Sequence, residues 1–146
     1  MIKSMIVLVI SLAISQLANC QVPLRRLDFR QQFNATDFEY DLKNSVNTAK
    51  GPSGSIRIAT VKQMPSLSGE GLSLGLLSID PCGINLPHHH PRATEMIYII
   101  KGKNLRSGLI EENSGRTMIN DIREGQVSIH FQLFLLIFIN KSLNDN

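Results

Sequence analysis

Gly83-Ile84-Asn85-Leu86-Pro87-His88-His89-His90-Pro91-Arg92-Ala93-Thr94-Glu95 sets three consecutive histidines between two prolines, shortly ahead of a glutamate. On an extended strand, alternate residues project from one face, so His88 and His90 stand side by side while His89 points away. Pro91 cannot continue the pairing of a strand and helps the chain to turn. Glu95 then opens the next strand and can bring a carboxylate beside the two rings. Imidazoles and a carboxylate with positions left open to water suit a divalent transition metal such as manganese, iron, nickel or zinc. Such an ion can orient and polarise a substrate, or cycle between redox states. A short histidine tract also binds metal incidentally, so the surrounding chain decides the reading.

Working outward from this segment, the hydropathy period is two. Ile56, Ile58 and Thr60 alternate with Arg57 and Ala59, and residues 72–79 (LSLGLLSI) read as a mostly buried strand broken by Asp80-Pro81-Cys82-Gly83. Residues 96–100 (MIYII), 105–110 and 117–122 are further strands, separated by Lys101-Gly102-Lys103-Asn104 and Glu111-Glu112-Asn113-Ser114-Gly115 and closed by Arg123-Glu124-Gly125. Short strands with turn signals every ~8–12 residues predict an all-β sandwich or barrel. Ile97, Ile99, Leu105, Leu109 and Ile122 are its core candidates by alternation. Residues 21–54 are polar, end in Gly51-Pro52-Ser53-Gly54, and read as an irregular N-terminal arm with a short helical turn near residues 37–42. Residues 131–139 (FQLFLLIFI) are almost wholly apolar, too short for a transmembrane helix and able to form a buried strand.

The N-terminus reads as an address. A short basic start (Met1-Ile2-Lys3), the apolar run 5–12 (MIVLVISL) and the small residues Ala18-Asn19-Cys20 predict a secretory signal peptide at residues 1–20, cut before Gln21 and excluded from the fold. Cleavage there leaves Cys82 alone; cleavage after Ala18 retains Cys20 as its candidate partner. Two sequons, at Asn34 and Asn140, are glycosylation candidates in a secreted chain where exposed. The chain has 146 residues, 42% of them hydrophobic and 18% charged, with net charge +3. This is room for one domain with one core. The basic residues are scattered and tryptophan is absent, which speaks against a nucleic-acid surface. No Ser-His-Asp ordering, phosphate-binding glycine loop or Cys-x-x-Cys pair is present. Arg92 reads as a solvent-facing or ion-paired residue and Cys82 as a turn residue.

The pattern His88-x-His90-x4-Glu95-x6-Gly102, with Asn85, Pro87, Pro91, Arg92, Ala93 and Thr94 around it, resembles the first sequence box of the germin-like cupins. Gly125 and His130-Phe131-Gln132-Leu133 resemble the two ends of the second box. This resemblance covers roughly residues 35–133. It implies a jelly-roll β-barrel, incomplete at its C-terminal end, holding manganese on His88, His90, Glu95 and His130. It also implies that Asn85 lies near an acidic small-molecule substrate. Its members are secreted and often glycosylated, and assemble as homo-oligomers; some are oxalate oxidases, some act as superoxide dismutases, and many have no known reaction. The domain plan expected is a signal peptide (1–20), an N-terminal arm (21–54), a partial cupin domain (55–133) and an atypical tail (134–146).

Three departures accompany the resemblance. Cys82-Gly83 stands where the family has paired glycines, and the N-terminal cysteine pair is missing unless Cys20 is retained. Only Gln126-Val127-Ser128-Ile129 separates Gly125 from His130, where the family has a longer hairpin. The function expected is therefore a secreted manganese cupin with oxidoreductase activity on oxalate or superoxide. Its rivals are a non-enzymatic storage, structural or adhesive relative, and a non-functional truncated fragment.

Overall fold

The computed structural model describes residues 4–11, 29, 31–132 and 134–141. Among them are ten strands: β1 (Ser4–Ser11), β2 (Thr48–Gly51), β3 (Gly54–Ala59), β4 (Leu72–Ile79), β5 (Ile84–His88), β6 (Thr94–Lys101), β7 (Leu105–Ile110), β8 (Thr117–Ile122), β9 (Val127–His130) and β10 (Leu135–Asn140). They form two antiparallel sheets, one in the order β2-β3-β4-β1-β6-β9 and the other in the order β5-β10-β7-β8. The inner faces meet in one core of Ile6, Leu77, Ile79, Ile97, Ile99, Leu105, Leu109, Ile122, Leu136 and Phe138. This is the all-β, jelly-roll arrangement expected. Strands β4, β7 and β8 span the residues read from the hydropathy period, and all five core candidates are buried. No helix among the described residues is long and apolar enough to cross a membrane.

The alternation is plainest in β6, where Glu95, Ile97 and Ile99 are buried and Met96, Tyr98 and Ile100 are exposed. The pleat forces this choice, since one face of an antiparallel sheet packs on the core and the other meets solvent. The arm carries two 3-10 turns near the position expected. Ala35–Phe38 is held by a reciprocal cap between Asn34 and Asp37, and Leu42–Asn44 by the Asp41 side chain. These side chains satisfy backbone N–H groups that a single turn leaves without partners.

Two segments outside the expected barrel take up places in its sheets. The reading of the sequence sets residues 1–20 aside, yet Ser4–Ser11 is an interior strand of the larger sheet. It pairs with β4 from Ser4↔Ile79 to Ser11↔Leu72 and with β6 from Met5↔Lys101 to Ser11↔Thr94. The cleavage positions 18–20, and with them the pairing of Cys20, lie outside the described residues. The apolar tail is likewise an interior strand, β10, between β5 and β7. Its buried face of Leu136, Phe138 and Asn140 explains why the run can be so apolar. Asn140 is fully buried and donates from Nδ2 to the carbonyl of Ile79 at 3.1 Å. Asn140 is thus not exposed as a glycosylation site requires, whereas Asn34 is exposed on the arm.

The β2–β3 hairpin depends on one glycine. Gly54 has φ 133°, and a Cβ on it would lie 1.9 Å from the carbonyl oxygen of Ser78 on β4. That combines a conformation L-residues avoid with an impossible contact to backbone. Gly54→Ala is expected to lower stability by about 2–4 kcal/mol, read from the denaturation midpoint of the full chain. An unchanged midpoint would mean that β3 does not lie against Ser78 as described.

Candidate metal centre

β5 ends at His88, the chain turns through residues 89–93, and β6 brings Glu95 back alongside. His89 is exposed and Ala93 is buried beneath the turn. Although regular pairing stops at His88, the His88 and His90 rings remain neighbours, with centroids 5.1 Å apart and planes at 85°. One nitrogen of His88, one nitrogen of His90 and one oxygen of Glu95 all lie within 4.8 Å of one another. That spacing brings three donors around one point, within a small side-chain adjustment of the ~2.0–2.2 Å bonds of such sites.

The hydrogen bonds around the cluster support this reading. His88 Nδ1 donates to the carbonyl oxygen of Leu86 at 2.8 Å, which keeps the proton on Nδ1 and leaves the Nε2 lone pair available. His90 Nε2 and Glu95 Oε1 face each other at 3.7 Å, and each is buried with no hydrogen-bond partner. Buried polar atoms without partners are costly and uncommon, and two that face each other are an arrangement a shared cation would satisfy. Burial also lowers the pKa of His90 below its ordinary value, with Glu95 opposing that shift, so the neutral, metal-binding form of the ring is favoured.

His130 sits directly across the β6–β9 ladder from Glu95. The shortened hairpin therefore still aims it at the site, but its ring nitrogens are engaged elsewhere. Nδ1 bonds Glu95 Oε2 at 3.2 Å, and Nε2 bonds Ser128 Oγ at 2.8 Å and Ser107 Oγ at 3.2 Å. The ring stacks on Phe138, centroids 5.0 Å apart. His130 is thus outside the trio of converging ligand atoms. The sequence missed Ser107 and Ser128, one on β7 and the other on β9, because nothing local marks a serine as the partner of a histidine in another strand or two residues ahead.

Asn85 is placed apart from the trio. It lines a groove of about 440 Å³ with Lys50, Ser53, Ile56, Leu77 and Leu86, and none of the three ligands borders that groove. Arg92 is exposed, and Cys82 is an exposed turn residue with φ 58°.

A two-sheet β fold with two histidines and a buried glutamate converging at a strand turn defines a jelly roll with a candidate metal site. The cupin pattern matches residues 40–146, and the chain belongs to the cupin family, among its germin-like members. Spherulin-1B of Physarum polycephalum is 33% identical over 129 residues, covering 84% of this chain and 50% of that protein. Putative germin-like protein 3-2 of Oryza sativa subsp. japonica is 30% identical over 118 residues, covering 76% of this chain and 51% of that one. The chain spans about half the length of these relatives. A recombinant oxalate oxidase solved in complex with glycolate shares the fold with a TM-score of 0.63 at 24% identity, over 75% of this chain and 55% of that one. The family match runs through the tail, beyond residues 35–133 that carry the resemblance to the germin boxes.

Proposed function

We propose that this chain is a secreted germin-like protein that binds one divalent transition metal, manganese first among them, through His88, His90 and Glu95. The observation that carries this is the pair of buried, partnerless atoms, His90 Nε2 and Glu95 Oε1, beside His88. A bound metal would supply a Lewis acid able to hold an anionic oxygen ligand or to exchange electrons with an oxygen species. The chain's own part is to present two imidazoles, to hold Glu95 away from water at 1% exposure, and to leave the partly exposed side of His90 as the approach for a small molecule. The reaction class we favour is that of an oxidoreductase on oxalate or superoxide, supported by the shared fold with an oxalate oxidase.

A homo-oligomer fits the outer face of the larger sheet. There Met96 and Ile129 are paired across β6 and β9, as are Tyr98 and Val127, and all four are between 43% and 52% exposed. An apolar patch of this kind commonly marks a protein contact.

Elemental analysis of the purified full chain tests the reading. Near-stoichiometric manganese, with peroxide released from oxalate or superoxide consumed, is the expected result. Bound metal with neither activity would transfer the chain to the non-enzymatic storage or structural class. A soluble chain that takes up no metal would remove the proposal.

A further inference from the structure

Resting on the metal-binding reading, we propose that His130 is a positioning residue for Glu95 and not a metal ligand, so that the centre is a set of two histidines and one carboxylate. A carboxylate oxygen can only accept, so the contact to Glu95 Oε2 is donated by His130 Nδ1. Nε2 in turn faces the hydroxyls of Ser128 at 2.8 Å and Ser107 at 3.2 Å. Both ring nitrogens are thus engaged by neighbouring side chains, and neither is left free for an ion.

The ring is also fixed in place. Its side chain is fully buried, it stacks on Phe138 at 30° between planes, and its backbone is locked in register opposite Glu95. Pinning Oε2 from behind turns Oε1 toward His90 Nε2, the direction in which a metal would lie. An imidazole that donates to a ligating carboxylate fixes that ligand's orientation, and its loss typically weakens metal binding by ~10–100-fold without abolishing it. The three remaining ligands keep several coordination positions open, a donor set that also serves ferrous iron in oxygen-using enzymes. This is the consequence of Ser107 and Ser128, which no local feature of the sequence connects with the histidine.

The test uses the full chain loaded with Mn2+, with pulsed EPR on 15N-histidine-labelled protein beside titration of the ion. His130→Asn keeps an N–H near the position of Nδ1. It is expected to retain stoichiometry and the parent's histidine nitrogen couplings, with affinity weaker by ~10–100-fold. Loss of one histidine coupling in His130→Asn would overturn the proposal and make His130 a ligand. The double variant Ser107→Ala, Ser128→Ala supplies a sign. If the serines hold a positioning ring, affinity falls by roughly 10-fold; if they compete with the metal for Nε2, affinity rises and the proposal fails. A parent chain that binds no Mn2+ would overturn this proposal together with the metal-binding reading, whereas a third coupled imidazole overturns this one alone.

Discussion

A chain that begins at Gln21 is expected to lose cooperative unfolding. β1 is an interior strand of the larger sheet, bonded along its length to β4 on one side and along Met5–Ser11 to β6 on the other. Without it, β2-β3-β4 and β6-β9 become separate sheets with two new unpaired edges. Such edges expose rows of backbone donors and acceptors and invite association with other chains. The core also loses Ile6, fully buried among Leu77, Ile79, Ile97 and Ile99. Removing that side chain alone forfeits ~1.5–3 kcal/mol of apolar burial, before any loss of pairing. That is a large part of the ~5–15 kcal/mol that stabilises an ordinary domain. Gly102 reports the same closeness from β6's far end: its φ is 141°, and a Cβ there would sit 2.5 Å from Ser4 Oγ. Calorimetry of the full chain should show one sharp transition, and the shortened chain a broad one with exposed apolar surface. An equally sharp transition at the same temperature in the shortened chain would show that the sheet closes without β1. Terminal sequencing of the natural protein bears on the same segment, because residues removed before Gln21 cannot also form β1.

The two fates of residues 4–11 show where sequence reasoning stops. A basic start followed by an apolar run has the composition of a leader, and it equally has that of a strand buried between two others. Composition cannot separate these, because the deciding partners, β4 and β6, lie more than sixty residues along the chain. The tail posed the same ambiguity, and pairing with β5 and β7 resolved it into a strand. Where one face is buried and the other wet, as in β6, alternation alone marked Ile97 and Ile99 for the core. The trio was legible for a related reason. His88, His90 and Glu95 are carried by one strand end, one turn and the start of the next strand, so local geometry suffices to bring them together. His130 was legible as a neighbour of the site and illegible as to role. The hydroxyls that capture its Nε2 come from β7 and from its own strand, and their reach depends on packing across both sheets.

Glu95→Gln is expected to separate stability from metal binding more sharply than any other single change. Glu95 is 1% exposed, and neither its Oε1 nor His90 Nε2, 3.7 Å away, has a hydrogen-bond partner. An unsatisfied buried polar atom costs ~1–3 kcal/mol. A glutamine of the same shape can keep its carbonyl as acceptor for His130 Nδ1 and turn its amide toward His90 Nε2, giving both orphaned positions a partner. The metal-free variant should therefore melt no lower than the parent. A neutral amide is also a much poorer ligand for a hard divalent ion than a carboxylate, so Mn2+ affinity should fall by more than ~100-fold, with a larger loss than a partner of a ligand typically produces. The two effects are read in one thermal-shift experiment. Saturating Mn2+ at ~100 times the dissociation constant should stabilise the parent by about 2.7 kcal/mol and the variant by almost nothing. If the variant keeps the full shift, the ion is bound by the histidine tract alone and Glu95 is a buried structural acid. If its metal-free form melts well below the parent, the orphaned atoms are satisfied in the native chain by something other than a metal.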